Sequence, residues 1–184
     1  MTTDAKKALR QSCSARRGEA FRSVDQPPAI EALKGVLLDA TGPISFYWPI
    51  RTEIDPRPAM EWAAQTNDVC LPLTHGRDAG LTFLRWTPGC AMTTDGFGVG
   101  VPDGSDALVP RTLVIPMLGF DARGHRLGYG AGHYDRTLEG LRGNGPVLAI
   151  GFAFGAQEVA QLPIEPTDQS LDVIVTENGV RRFP

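Results

Sequence analysis

The run Arg126-Leu-Gly-Tyr-Gly-Ala-Gly-His-Tyr-Asp-Arg136 brings together the residue types that hold a phosphate. Glycines at alternate positions, Gly128, Gly130 and Gly132, let the backbone take positive φ and turn successive N–H groups in one direction. The run follows an apolar stretch that reads as a strand and precedes a helix expected over Tyr134–Leu141, so those N–H groups sit where a helix start attracts anions. Arg126 and Arg136 can add charge-assisted hydrogen bonds. Asp135 can hold Mg²⁺ beside the phosphate, because Mg²⁺ favours one or two carboxylates plus phosphate oxygens. A purely structural glycine turn is the plain alternative; two arginines and a carboxylate so close favour the anion. The spacing is neither of the common nucleotide patterns, since position 133 is His and no GxxxxGK[ST] occurs.

Other chemical groups are more scattered. Lys6 and Arg10 lie four apart on one helix face, which by spacing alone is a solvated face. Glu53 and Asp55 stand beside prolines and read equally as turn residues. Asp168 caps a turn or pairs with an arginine, and Asp172 reads as a strand-edge carboxylate. His75, His125 and His133 lack metal-ligand spacing, and no GxSxG elbow supplies a nucleophile. Cys13, Cys70 and Cys90 form no CxxC pair and read as reduced, mostly buried thiols. Trp48, Trp62 and Trp86 are core candidates, with Trp48 close to the acidic loop.

These groups need elements to position them. Ala5, Ala8, Leu9, Ser12 and Cys13 recur at helical spacing and predict a helix starting after Thr3. Pro27-Pro28 opens a second helix through Leu37, ending at Gly42. Pro58 opens a third through Met60 and Trp62. Strands are expected at Ile44–Trp48, Val69–Leu73, Leu81–Trp86, Leu113–Met117, Val147–Phe154 and Leu171–Thr176. They are short continuous apolar runs, so both faces are covered, as in a mostly parallel sheet between helices. That is an α/β chain with a three-layer αβα, Rossmann-like architecture. Thr87–Ser105, rich in Gly, Pro and Thr, reads as an irregular loop. No repeat or composition shift divides the chain, so residues 1–184 read as a single domain.

Composition excludes other classes. With 42% hydrophobic and 21% charged residues the chain can bury a core and is not disordered. A net charge of −3 argues against a nucleic-acid partner. The first ten residues hold no apolar stretch of signal type, and none elsewhere is long enough to span a bilayer. A cytoplasmic protein with no membrane partner, monomeric or weakly homodimeric, is the expectation.

The glycine run, preceded by Val114-Ile-Pro-Met-Leu-Gly-Phe-Asp121, closely resembles the signature of the 5-formyltetrahydrofolate cyclo-ligase family. Lys6-Lys-Ala-Leu-Arg10 resembles its N-terminal K-x-x-L-R, Glu53-Ile-Asp55 its acidic substrate motif, and Phe97–Pro102 the segment that usually ends in Glu-Pro. Gln157, Pro163, Glu165, Asp168 and Asp172 fit its C-terminal pattern. The resemblance implies ATP- and Mg²⁺-dependent closure of 5-formyltetrahydrofolate to 5,10-methenyltetrahydrofolate, with release of ADP and phosphate. The γ-phosphate activates the formyl oxygen, N10 attacks the resulting carbon, and phosphate leaves. It implies that Lys6, Arg10, Arg126, Leu127, Gly128, Tyr129, Gly130, Ala131, Gly132, His133 and Tyr134 hold ATP, with Lys6 and Arg126 catalytic. It places substrate at Ile50, Glu53, Asp55, Tyr129 and His133, and the metal at Asp135 and Asp168. His133, Val101, Met117, Thr167 and Arg111 depart from the usual pattern without removing a phosphate or metal group. Two rivals are a sugar-phosphate or CoA-type enzyme on a similar sheet and a non-catalytic folate-binding member of the same family.

Overall fold

The structure, a computed structural model, describes residues 2–104 and 106–184, with backbone alone for residues 2–5. In chain order the elements are α1 (Thr2–Ser23), α2 (Pro27–Leu37), β1 (Ile44–Ser45), α3 (Arg57–Ala63), β2 (Val69–Leu73), β3 (Thr82–Trp86), β4 (Met92–Thr94), β5 (Gly100–Pro102), β6 (Thr112–Ile115), β7 (Gly119–Asp121), β8 (Arg126–Leu127), α4 (His133–Arg142), β9 (Leu148–Phe152), a 3-10 turn (Gly155–Gln157), β10 (Glu158–Val159), β11 (Val173–Thr176) and β12 (Gly179–Arg182).

The main sheet runs β12-β11-β9-β6-β1-β2-β3. Its central strands are parallel and its two edges, β12 and β3, antiparallel. Alternation along the strands divides the core. Val69, Leu71, Val114, Ile150, Phe152, Val173 and Val175 face α2 and α3, meeting Ala29, Leu33, Met60 and Ala63. Cys70, Leu113, Ile115, Ala149 and Ile174 face the other way, toward Leu138 of α4. The sheet thus has helices on both faces, as expected of buried parallel strands. Burial pushes the Cys70 thiol up to about 12, so it is an inert packing residue.

The first helix, expected to start after Thr3, runs from Thr2 to Ser23. Two expectations are corrected. The loop over Thr87–Ser105 contains a hairpin, with β4 and β5 antiparallel; Ser105 itself lies outside the described residues. The apolar run Ile44–Trp48 is a strand for two residues only, because the chain leaves the sheet after Ser45 and the Tyr47 hydroxyl donates to Ile54 O at 2.6 Å.

A second, three-stranded sheet, β10-β7-β8, leads into the glycine run. It carries α1 through Cys13, Leu118, Leu127 and Leu162, a small apolar cluster of its own. Asp121, fully buried, organises it: its carboxylate accepts from the N–H groups of Arg123, His125 and Leu162 and from the Arg123 guanidinium. Burial alone would push this carboxyl up, but the Leu162 N–H, the Arg123 side chain and the remaining N–H groups outweigh it and hold it below its ordinary value. A lowered folded-state pKa contributes stability above the unfolded value of about 3.9, and that stability is lost as pH falls through the folded value. Asp121→Asn is therefore expected to cost about 1–3 kcal/mol at neutral pH, with the gap to wild type shrinking in acid. Urea unfolding at both pH values checks this; a gap that widens in acid contradicts it.

Candidate functional site

The order of the main sheet locates the site. From β1 the chain passes through α3 to β2 on one side, whereas β6 pairs with β1 on the other. Connections therefore diverge between β1 and β6, and ligands of open α/β sheets collect beyond the carboxyl ends of strands at such a point. The segment after β1 is the acidic loop 49–55. The segment after β6 leads through β7 and β8 into the glycine loop 128–132.

The glycine loop ends in a helix start. Gly130 has φ 104° and Gly132, at the N-cap of α4, has φ 69°. Both conformations strain any residue with a side chain. Gly128 is outside the left-handed region, which corrects the expectation that all three glycines use positive φ. The helix begins at His133, one residue earlier than expected, with Asp135 in its first turn. The N–H groups of that turn lack helical partners and, with the helix dipole, could receive an anion.

α1 closes over this loop. Arg10 Nε donates to Gly128 O at 3.0 Å. A Cβ on Gly130 would lie 3.2 Å from the Arg10 guanidinium carbon. Lys6 does not stand on a solvated face: it is 9% exposed, and its Nζ lies 3.0 Å from Asp168 Oδ2 and 3.2 Å from Glu165 Oε2. Burial opposes its charge, but the two carboxylates prevail and raise the ammonium above its ordinary value. Arg126 is nearly enclosed. It donates to Gln169 O and, at 2.6 Å, to Asp135 Oδ1, and burial lowers its pKa against the pull of Asp135.

Asp135 and Asp168 approach through Gln169, whose N–H donates to Asp135 Oδ1 at 2.9 Å. Among the described residues, hydrogen bonds to Asp135 fall on Oδ1 and those to Asp168 on Oδ2, so one oxygen of each carboxylate stays open. The same residues contain no cluster of three or more ligating side chains. Two hard carboxylate oxygens fit a Mg²⁺ completed by phosphate oxygens and water, and not an all-protein cage.

Across from the glycine loop, a tight turn shapes the acidic loop. Glu53 N donates to Ile50 O at 3.1 Å, Ile50 N donates to Glu53 Oε2 at 3.0 Å, and Arg51 between them has φ 56°. Glu53 is 5% exposed; burial pushes its carboxyl up, opposed by the Ile50 N–H, the Tyr129 hydroxyl and Arg17. Tyr129 of the glycine loop donates to Glu53 Oε1 at 3.0 Å, joining the two loops. Burial pushes the Tyr129 phenol up to about 12, so it remains a donor. Asp55 is held by Arg57 through both oxygens, and Arg57 stacks 5.3 Å over Trp48. Glu53, Asp55, Arg51 and Arg57 line a cleft of about 480 Å³ with Pro49 and Ile30.

Other expected residues are placed differently. The Leu127 side chain packs beneath α1, leaving only its backbone for a ligand. Tyr134 packs toward the core beside Leu138, and burial raises its phenol well above the ordinary value. His133 Nδ1 donates to Ala79 O at 3.0 Å, and its ring meets Phe97 of the β4–β5 hairpin edge-on at 6.1 Å. Ala131 O accepts from Arg136, so that arginine braces the loop. Asp172 pairs with Arg142 and accepts from Ala149 N, a structural role. Sequence reasoning missed Arg17, buried against Tyr129, Thr52 and Glu53. Its spacing from Lys6 and Arg10 was the available signal.

The model of the 5-formyltetrahydrofolate cyclo-ligase family matches residues 2–177. A 5-formyltetrahydrofolate cyclo-ligase of Escherichia coli is 35% identical over 136 residues, 70% of this chain and 74% of that one. The enzyme of that name from Mycolicibacterium smegmatis is 28% identical over 96% of this chain and 95% of its own. The solved 5,10-methenyltetrahydrofolate synthetase of Aquifex aeolicus superimposes with a TM-score of 0.77 at 26% identity, covering 96% of this chain and 92% of that one. A solved synthetase of Mycoplasma pneumoniae, 21% identical with a TM-score of 0.73, has the same fold over 94% of this chain and 98% of its own. The chain belongs to the 5-formyltetrahydrofolate cyclo-ligase family.

Proposed function

We propose that this chain closes 5-formyltetrahydrofolate to 5,10-methenyltetrahydrofolate at the expense of ATP, with the phosphates on the glycine loop and the folate over the acidic loop. The observation that carries the reading is the single hydrogen bond from Tyr129 to Glu53. It sets a phosphate-type loop and a carboxylate-lined cleft side by side, as a γ-phosphate transfer to a bound formyl oxygen requires. Such transfer depends on positioning and charge neutralisation more than on a protein nucleophile. The α4 N-terminus and the Gly130 and Gly132 backbone supply N–H donors. Lys6, Arg10 and Arg126 supply cations, and Glu53 supplies an acceptor for ring N–H groups of the folate. Asp135 and Asp168 would hold Mg²⁺, which neutralises phosphate charge when bound.

The test is the rise of the methenyl absorbance band when the protein meets 5-formyltetrahydrofolate, Mg²⁺ and ATP. Folate binding without ATP consumption would favour the non-catalytic reading.

Lys6→Ala separates catalysis from stability. The ion pairs of Lys6 are part-exposed on the acid side, so their loss is expected to cost no more than about 1 kcal/mol. Turnover is expected to fall by at least about a hundredfold, because a cation at the transferring phosphate contributes several kcal/mol. Thermal melting and steady-state rates decide it: normal turnover with a large melting loss would make Lys6 structural.

A further inference from the structure

Among the described residues Arg17 is the largest fully buried side chain, at 1% exposure. A guanidinium taken out of water is costly unless its charge and donors find partners. Arg17 lies on the face of α1 that carries Lys6, Arg10 and Cys13, at spacings of four, three and four. Its Nε donates to Thr52 Oγ1 at 3.1 Å, and one terminal nitrogen donates to the Tyr129 hydroxyl at 2.7 Å. The same nitrogen is 3.6 Å from Glu53 Oε1, the oxygen that accepts from Tyr129. The guanidinium carbon also sits 5.6 Å from the centre of the Tyr129 ring. One side chain of α1 thus touches the acidic loop twice and the glycine loop once.

We propose that Arg17 is a positioning residue that fixes Glu53 as an ionised acceptor in the folate cleft and ties the glycine loop to it through Tyr129. The meaning of the two loops rests on the function proposed above. Glu53 is faced by Arg17 from α1, by Tyr129 from the glycine loop, by Tyr134 from α4, and by Tyr47, Arg51 and Asp55 from its own segment. Arg51 is exposed and Arg17 buried, so Arg17 is the cation that water does not screen. Without it, burial pushes the Glu53 carboxyl further up, and the acceptor is lost at a higher pH.

The test compares wild type, Arg17→Met, Arg17→Lys and Tyr129→Phe. In Arg17→Met the KM for 5-formyltetrahydrofolate is expected to rise about tenfold or more, whereas the KM for ATP changes by less than about threefold. The acid limb of kcat/KM for the folate is expected to move up by about one pH unit. Arg17→Lys is expected to restore the limb, because it restores the charge, and to restore KM only in part, because an ammonium lacks the planar fork. Tyr129→Phe keeps the ring but removes one donor to Glu53, so it should move the limb in the same direction by less, and it decides the matter if Arg17→Met fails to fold. An unmoved acid limb with both KM values raised together, or a lower melting temperature with wild-type kinetics, overturns the proposal. NMR titration of the labelled Glu53 carboxyl reads the same shift without turnover. If wild type forms no methenyl product, the functional reading fails, and the Glu53 titration still decides the role of Arg17.

Discussion

Gly130→Val should abolish measurable ATP binding while the sheet and α4 remain folded. The backbone at Gly130 has φ 104°, which a β-branched residue avoids. Holding a non-glycine residue in such a region costs about 1–3 kcal/mol. A Cβ there would also stand 3.2 Å from both the guanidinium carbon and a terminal nitrogen of Arg10, displacing the arginine that anchors α1 to Gly128 O. Relief of the strain requires the loop to turn its N–H groups away from their common direction, so the loss at the phosphates exceeds the loss in stability. Isothermal calorimetry with ATP checks this: at least about a hundredfold weaker binding is expected, about 2.7 kcal/mol. Gly140→Ala in α4, the helix that follows the loop, is the control. Beyond the helix's own nearby backbone and the two chain neighbours, nothing lies within 4 Å of a Cβ there, so the change should leave binding intact and stabilise α4 slightly. Unchanged ATP affinity in Gly130→Val would remove the glycine loop from the phosphate site.

The elements that sequence patterning located best are those in which local pattern and tertiary role coincide. Val69–Leu73 is a strand over its whole expected length because every residue is apolar or tolerated at its register, and both faces are covered. The glycine loop was legible because its glycines and charges are contiguous. β12 was not: Gly179-Val-Arg-Arg182 is a polar edge strand with little apolar pattern, although the Asn178-Gly179 pair at its start is a turn signal. The β4–β5 hairpin was hidden by its Gly and Thr content. It is held by long-range packing, with Gly100 leaving room for the Trp48 indole, where a Cβ would come within 2.8 Å.

In the candidate site the residues were legible and their pairings were not. Lys6 meets Asp168 across 162 positions and Tyr129 meets Glu53 across 76, and such contacts follow from strand order, not from local spacing. The assumption that charged helix residues face water hid both the burial of Lys6 and the whole of Arg17. An arginine continuing a basic stripe at helical spacing is the pattern to look for when a helix edge covers a phosphate loop.

The same burial changes what is expected of the metal carboxylates. Asp135→Asn keeps the size of the side chain and removes its charge. If Asp135 and Asp168 share a Mg²⁺, the variant should need at least about tenfold more Mg²⁺ for half-maximal turnover, while 5-formyltetrahydrofolate binding changes little. Asp135 also partners Arg126, whose guanidinium is 5% exposed, at 2.6 Å. Breaking an ion pair of this kind by removing one member leaves the other charge buried. With Asp135 itself 27% exposed, a loss of about 1–3 kcal/mol in stability is expected beside the metal effect. Asp168→Asn should act on Mg²⁺ dependence in the same direction. Its stability loss should be smaller, since Lys6 retains Glu165. Two ligands of one ion are not independent, so the double variant should show much less than the sum of the two effects on Mg²⁺ dependence. The stability effects should add more nearly, because Arg126 and Lys6 are separate partners. Mg²⁺ titrations of turnover, with urea unfolding on the same four proteins, separate these quantities. Wild-type Mg²⁺ dependence in Asp135→Asn together with the stability loss would leave Asp135 as the partner of Arg126 and the helix dipole, and would remove it from the metal site.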